Sequence, residues 1–183
     1  GAKPVIINID ETLNMNPNEL ESAITNKTKA VIPVDMLGVS TEVDLINSIC
    51  KENNIITIDD NCEALGADWG DDKLGSQFDM CVFSFDNGKT ITTGEGGMIV
   101  TNNEEYSKFC REYRDHGHEN NPKFPRWRDT RSGTGFNFRM NELQGAVGIA
   151  QLKKLDFIIL IDVSINEWCS SVKKINSLLM KLS

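Results

Sequence analysis

Apolar positions along this chain fall into short β-branched runs separated by stretches with helical spacing. Val5 to Ile9 reads as a strand closed by Asp10-Glu11, and Asn16-Pro17-Asn18 leads into a helix over Glu19 to Ile24. Ala30 to Val34 reads as a buried strand. Val43 to Cys50 follows as a helix, with Val43, Leu45, Ile46 and Ile49 at helical spacing, and Ile55 to Ile58 is the next strand. Met80 to Phe85 and Met98 to Thr101 are further strand-like runs divided by the glycine-bearing segment Gly88 to Gly97, and Tyr106 to Tyr113 reads as a helix. Strand and helix in alternation predict an α/β fold with a largely parallel sheet.

Residues 114–135 break this rhythm. They are polar and rich in Pro, Gly, Arg and Trp, which predicts an irregular excursion longer than an ordinary connection and therefore a candidate functional loop. Helical spacing resumes over Met140 to Leu155. It returns over Ser164 to Leu182, where Ile165, Trp168, Val172, Ile175 and Leu179 form an apolar face. The chain carries no internal repeat and no low-complexity tract, so one α/β domain with an appended helix accounts for it.

Composition narrows the function. A chain of 183 residues, 39% of them hydrophobic, suffices for one sizeable core. The net charge of −8 repels phosphate backbones and leaves no basic stripe, so no nucleic-acid partner is expected. Cys50, Cys62, Cys81, Cys110 and Cys169 are odd in number, widely spaced and without a CxxC pair to clip zinc, which suits reduced thiols in the cytoplasm. No apolar run approaches the roughly 20 residues of a membrane helix and no charged-then-apolar leader opens the chain, so no membrane partner is expected. Gly1-Ala2-Lys3-Pro4 runs directly into the first strand-like segment, which leads to the expectation of a further segment upstream.

In open α/β sheets, ligands bind beyond the carboxyl ends of the strands. Two such ends are chemically loaded: Asp59-Asp60-Asn61-Cys62-Glu63-Ala64-Leu65-Gly66, and the run from Ser84 through Lys89 to Gly97. By spacing alone, catalysis competes with plainer roles. Asp59 and Asp60 suit helix caps, Lys89 a solvated amine, and the glycines tight turns.

The combined pattern resembles the DegT/DnrJ/StrS-type sugar aminotransferases, which carry an acidic strand end, then Ser-Phe-x-x-x-Lys running into Thr-Gly-Glu-Gly-Gly. Here these are Asp60, Ser84 to Lys89, and Thr93 to Gly97. The resemblance runs from about Val5 to Asp156. It takes in Val31-Ile32-Pro33-Val34, Arg114-Asp115-His116-Gly117 and the segment from Gly135 through Asn137 to Gln144. It implies a fold type I transferase dependent on pyridoxal 5'-phosphate, with a three-layer α/β/α large domain and a mostly parallel sheet. Residues 1–156 then form part of that domain and residues 157–183 a divergent or truncated C-terminal helix. The family's N-terminal segment and small C-terminal domain are expected outside this sequence.

The resemblance also implies roles. Lys89 carries the cofactor covalently, because an amine must be neutral to attack an aldehyde and burial beside a cationic ring favours the neutral form. Asp60 sits against the pyridine nitrogen and keeps the ring protonated as an electron sink. Glu63 stands near the ring, where the family often has Gln or His, so its charge is a departure. Ser84 donates to the cofactor phosphate, and Asn137 reaches the phosphate of the neighbouring subunit, which implies a homodimer with shared sites. Asp86-Asn87-Gly88 departs from the usual His or Tyr followed by Pro.

Relatives that remove a sugar hydroxyl carry His at the lysine position, so Lys89 favours transamination. His116 and His118 receive no role. Arg126, Trp127, Arg128 and Arg131 serve either a nucleotide diphosphate or an interface. The reaction implied is a ping-pong transfer of nitrogen from an amino acid, glutamate first among them, to a nucleotide-linked keto-sugar, for polysaccharide or glycoconjugate biosynthesis. The alternative is a catalytically incompetent fragment acting as a folded, dimerising module.

Overall fold

The computed structural model describes residues 1–162 and Ser164. Helix α1 (Pro17–Ala23) begins where Asn16 accepts the Asn18 N–H and Pro17 occupies the first turn, a place where its missing N–H costs nothing. Strand β1 (Ala30–Val31) follows. Helix α2 (Val43–Glu52) then turns Val43, Ile46 and Cys50 inward. These three pack with Leu20, Val31, Ile55 and Phe78 as the first core cluster.

Strand β2 (Ile56–Asp60) leads through a hairpin of β3 (Asp68–Trp69) and β4 (Asp72–Lys73) to β5 (Met80–Ser84) and β6 (Gly97–Val100). The main sheet has the order β1-β2-β5-β6. Its first three strands are parallel, and β6 runs antiparallel to β5. Val31 stands opposite Thr57, and Asp59 opposite Cys81. Because side chains alternate along a strand, Val31, Thr57, Asp59, Cys81 and Phe83 share one face, and all five are buried. Ile58, Asp60, Val82 and Ser84 point to the other, half-buried face.

The second core cluster joins Cys81, Phe83, Phe85 and Ile91 to Leu65, Val100, Leu155 and Ile158. Residues 155–162 are helical, so the core extends across the expected boundary at Asp156. Ile159 lies against Gly66 so closely that a Cβ there would collide with it, and Gly66 has a φ of +88°. Helix α3 (Glu104–Tyr113) starts at Asn103, whose side chain accepts the N–H groups of Glu105 and Tyr106. Helix α4 (Glu142–Leu152) has a full capping box between Asn141 and Gln144.

Two expected elements differ in the structure, and one hairpin is new. Val5 to Ile9 forms no strand: Val5 and Ile6 are exposed, and only Ile9 pairs, through a single bridge to Met15. A β-branched run satisfies the strand pattern but requires a sheet edge to join. The helix expected over Met140 to Leu155 starts later and breaks in a turn at Lys153-Lys154. The β3–β4 hairpin was not foreseen. Apart from Ser164, the helix expected over Ser164 to Leu182 lies outside the described residues.

Candidate active site

The parallel pairing of β2 with β5 sets Asp60 opposite Val82, so Asp60 and Ser84 emerge on the same face at neighbouring carboxyl ends. Asp60 ends β2 under firm backbone control: its N–H donates to the Pro33 carbonyl at 2.9 Å, and its own carbonyl accepts the Asp35 N–H at 3.1 Å. Its carboxylate Oδ1 accepts the Cys62 N–H at 3.1 Å, which starts the turn that carries Glu63.

Lys89 reaches the same place from β5. Phe85 and Ile91, both buried, anchor the two sides of the loop. The Thr93 N–H donates to the Phe85 carbonyl at 3.0 Å, and the Phe85 N–H to the Gly96 carbonyl at 2.8 Å. The lysine is therefore displayed on a short, tied loop, with 24% of its side chain exposed. Glycine is needed at position 97, where a Cβ would stand 2.8 Å from the Phe83 carbonyl oxygen. Gln144 at the start of α4 supports the loop by donating to the Glu95 carbonyl at 2.7 Å.

Glu63 Oε1 lies 3.6 Å from Lys89 Nζ, while Oε2 accepts the Leu37 N–H at 3.3 Å. One carboxylate thus links the lysine to the turn Met36–Gly38, whose Leu37 holds a left-handed φ of +54°. Ser84 Oγ accepts the Asp86 N–H at 3.3 Å, which leaves its hydroxyl hydrogen free to donate. The Cys62 thiol is pushed up to about 11, first by burial and then by Asp60, so it is no thiolate nucleophile at neutral pH. A half-buried amine, two carboxylates and a hydroxyl at paired strand ends can bind an aldehyde covalently and hold a ring and an anionic tail around it.

Asn137 is not part of this group: it is exposed and bridges to Asp115. Around that bridge the 114–135 loop is braced from within. Arg126 grips Asp115 with two bonds of 2.8 and 2.6 Å, and Arg139 adds a third at 2.6 Å. Arg126 and Arg139 hold the Asp115 carboxyl well below the usual carboxylate range. His118 is buried, with Nδ1 at 3.3 Å from Asp129 Oδ2 and Arg131 against Nε2. His116 takes a left-handed φ of +57°, and its N–H donates to the Phe136 carbonyl.

Arg126 and Arg131 are therefore engaged inside the loop, whereas Arg128 stacks at 4.6 Å over the exposed Trp127. Sequence reasoning missed Asp115 as the hub of this brace. It also missed a buried trio, Asp35, Asp59 and Asn61, behind the strand end. Arg126 and Arg139, on either side of the loop's end, were the available sign that a buried acid would be needed to gather them.

The model of the DegT/DnrJ/EryC1/StrS aminotransferase family matches residues 1–162. The chain is 40% identical over 157 residues to the GDP-perosamine synthase of Caulobacter vibrioides, covering 85% of this chain and 41% of that protein. It resembles the structure of Helicobacter pylori PseC, an aminotransferase involved in the biosynthesis of pseudoaminic acid. The TM-score is 0.80 with 37% identity, over 85% of this chain and 41% of that one. It also resembles the Escherichia coli GDP-4-keto-6-deoxy-D-mannose-3-dehydratase with bound hydrated PLP. There the TM-score is 0.70 with 36% identity, over 81% of this chain and 42% of that one. The chain spans about two fifths of the length of these relatives.

Proposed function

The chain belongs to the DegT/DnrJ/EryC1/StrS aminotransferase family, and from that premise we propose that it is the cofactor-binding part of a pyridoxal-phosphate-dependent sugar-nucleotide aminotransferase with Lys89 as its catalytic lysine. The observation that carries this reading is the meeting of Lys89 and Glu63 at 3.6 Å beside the neighbouring ends of β2 and β5, where Asp60 and Ser84 stand on one face.

These residues fit the cofactor. Lys89 offers a half-buried amine, Asp60 a carboxylate for the pyridine nitrogen, and Ser84 a free hydroxyl hydrogen for the phosphate. Pyridoxal phosphate, when bound, supplies the electron sink that amino-group transfer requires. Lys89 would hold the cofactor through its amine and would move a proton at the substrate carbon. Asp60 would hold a proton at the ring nitrogen. Glu63, 3.6 Å from Lys89 Nζ, would hold that side chain toward the strand ends.

Asn137 contributes to the phosphate site of a second copy, which makes the protein a homodimer. The stacked, exposed aromatic group of Phe109, Tyr113, Phe136 and Phe138 supports a covered surface next to that residue. The substrates are an amino-acid donor, glutamate, and a nucleotide-linked keto-sugar, in polysaccharide or glycoconjugate biosynthesis. The GDP-sugar relatives support that class. Residues 1–156 belong to the large domain, and residues 157–162 extend it, since Ile158 packs in its second core cluster. The free thiols of Cys50, Cys62, Cys81 and Cys110 support a cytoplasmic setting. Among the described residues no helix is long and apolar enough to cross a membrane.

The test is the visible absorption spectrum of the protein mixed with pyridoxal phosphate. A band of lysine-bound cofactor should appear, disappear in Lys89→Ala and bleach on addition of glutamate. A band unaffected by Lys89→Ala would overturn the assignment.

A further inference from the structure

Behind the Asp60 strand end, on the opposite face of the sheet, three polar side chains are sealed from solvent. Asp35, Asp59 and Asn61 are each 0% exposed. One amide group joins them: Asn61 Nδ2 donates to Asp59 Oδ2 at 2.6 Å and to Asp35 Oδ2 at 3.0 Å. Asp35 also accepts the Thr41 N–H at 2.7 Å, whereas Asp59 Oδ1 and Asn61 Oδ1 are buried without a partner. Among the described residues no Lys, Arg or His pairs with either carboxylate.

Two neighbouring buried carboxylates without a cation cannot both ionise cheaply, so one proton is shared between them. Asp35 has the extra backbone donor and keeps the charge. Asp59 takes the proton, which converts an orphaned acceptor into a donor. The titratable groups facing Asp59 are Asp35 from the segment after β1, Asp60 from its own strand, and Cys81 from β5. None of them is a cation.

The trio brackets Asp60. Asp59 and Asn61 flank it in sequence and, by strand alternation, point away from it. The Asp35 N–H donates to the Asp60 carbonyl, so the same residues brace the junction of β1 and β2. We propose that Asp35, Asn61 and Asp59 form a one-proton clamp that positions Asp60, and that loss of the shared proton loosens the strand end presenting that carboxylate. The importance of Asp60 rests on the function proposed above. Asp59 does not touch the cofactor site and acts through the backbone of Asp60.

Burial, then the charge of Asp35, pushes Asp59 up to about 7 from its ordinary 3.8. A raised carboxyl favours the folded state most below its unfolded value, so this contribution is full below 3.8 and declines as the pH rises toward about 7.

The experiment is a carbon-13 NMR titration of the aspartate carboxyls in the cofactor-free chain, with amide exchange followed at Asp60 and Asn61. Asp59 should titrate near neutrality while Asp35 stays ionised. Asp59→Asn, an amide of the same shape as the protonated acid, should keep wild-type exchange protection. Asn61→Ala should speed exchange at Asp60 about tenfold or more and weaken cofactor binding read from the visible band. Separate titration of both carboxyls near 3.8 would overturn the clamp, as would an Asp59→Asn variant with wholly lost protection. If Asn61→Ala does not fold, the wild-type titration and Asp59→Asn decide. If the titration behaves as stated but no visible band forms with pyridoxal phosphate, the cofactor reading falls and the clamp stands.

Discussion

At the scale of single residues, the chain concentrates its electrostatic organisation on acids whose surroundings differ. Asp115 is held by two guanidinium groups, from Arg126 and Arg139, and is pulled down, while Asp59 has only an amide and another carboxylate for company and is pushed up. Replacing Asp115 by Asn should lower stability by about 1–2 kcal/mol, since charge-assisted bonds are lost but both arginines are partly exposed and solvent screens them. Urea unfolding at neutral pH reads this directly. Because the Asp115 carboxyl is depressed, its stabilisation is present above the ordinary 3.8 and fades as the pH falls below it. Wild type and Asp115→Asn should therefore converge in acid, and a gap that persisted at low pH would contradict the ionic origin of the brace.

At the scale of elements, the site depends on how loops are tied to strands and helices. Asn141 caps α4 while Gln144 closes the capping box and braces the Glu95 carbonyl, so helix and lysine loop share one hinge point. Asn141→Ala should cost about 1 kcal/mol. Amide exchange should rise at the start of α4 and in residues 93–97, and an effect confined to the helix would refute the coupling.

Much of this was legible beforehand, because local pattern fixes the parallel strands. The apolar runs at 30–34, 55–58 and 80–85 became β1, β2 and β5, and Lys89 and Glu63, distant in sequence, came together because those strands end side by side. Val5 to Ile9 misled because strand propensity says nothing about whether an edge is available to pair with. The Asp35–Asn61–Asp59 trio was invisible because its meaning lies in mutual burial, which spacing does not report. By spacing alone Asp59 and Asp60 looked equivalent; the resemblance singled out Asp60, and strand alternation explains why Asp59 is the buried one.

At the scale of the whole molecule, the sheet carries both core clusters on one face and the candidate site at its carboxyl end, with an aromatic surface left exposed around Phe136 and Phe138. If that surface is where two copies meet, Phe138→Asp should shift the protein toward monomer in sedimentation. Wild type should show concentration-dependent dimerisation, and identical monomeric behaviour of both would remove the shared site. The claim on which all else turns is the identity of the cofactor-bearing lysine. Borohydride reduction of the protein with pyridoxal phosphate, followed by peptide mass mapping, tests it most directly. One phosphopyridoxyl group should appear on the peptide containing Lys89 and be lost in Lys89→Ala; a label spread over other lysines, or carried by another residue alone, would rule Lys89 out.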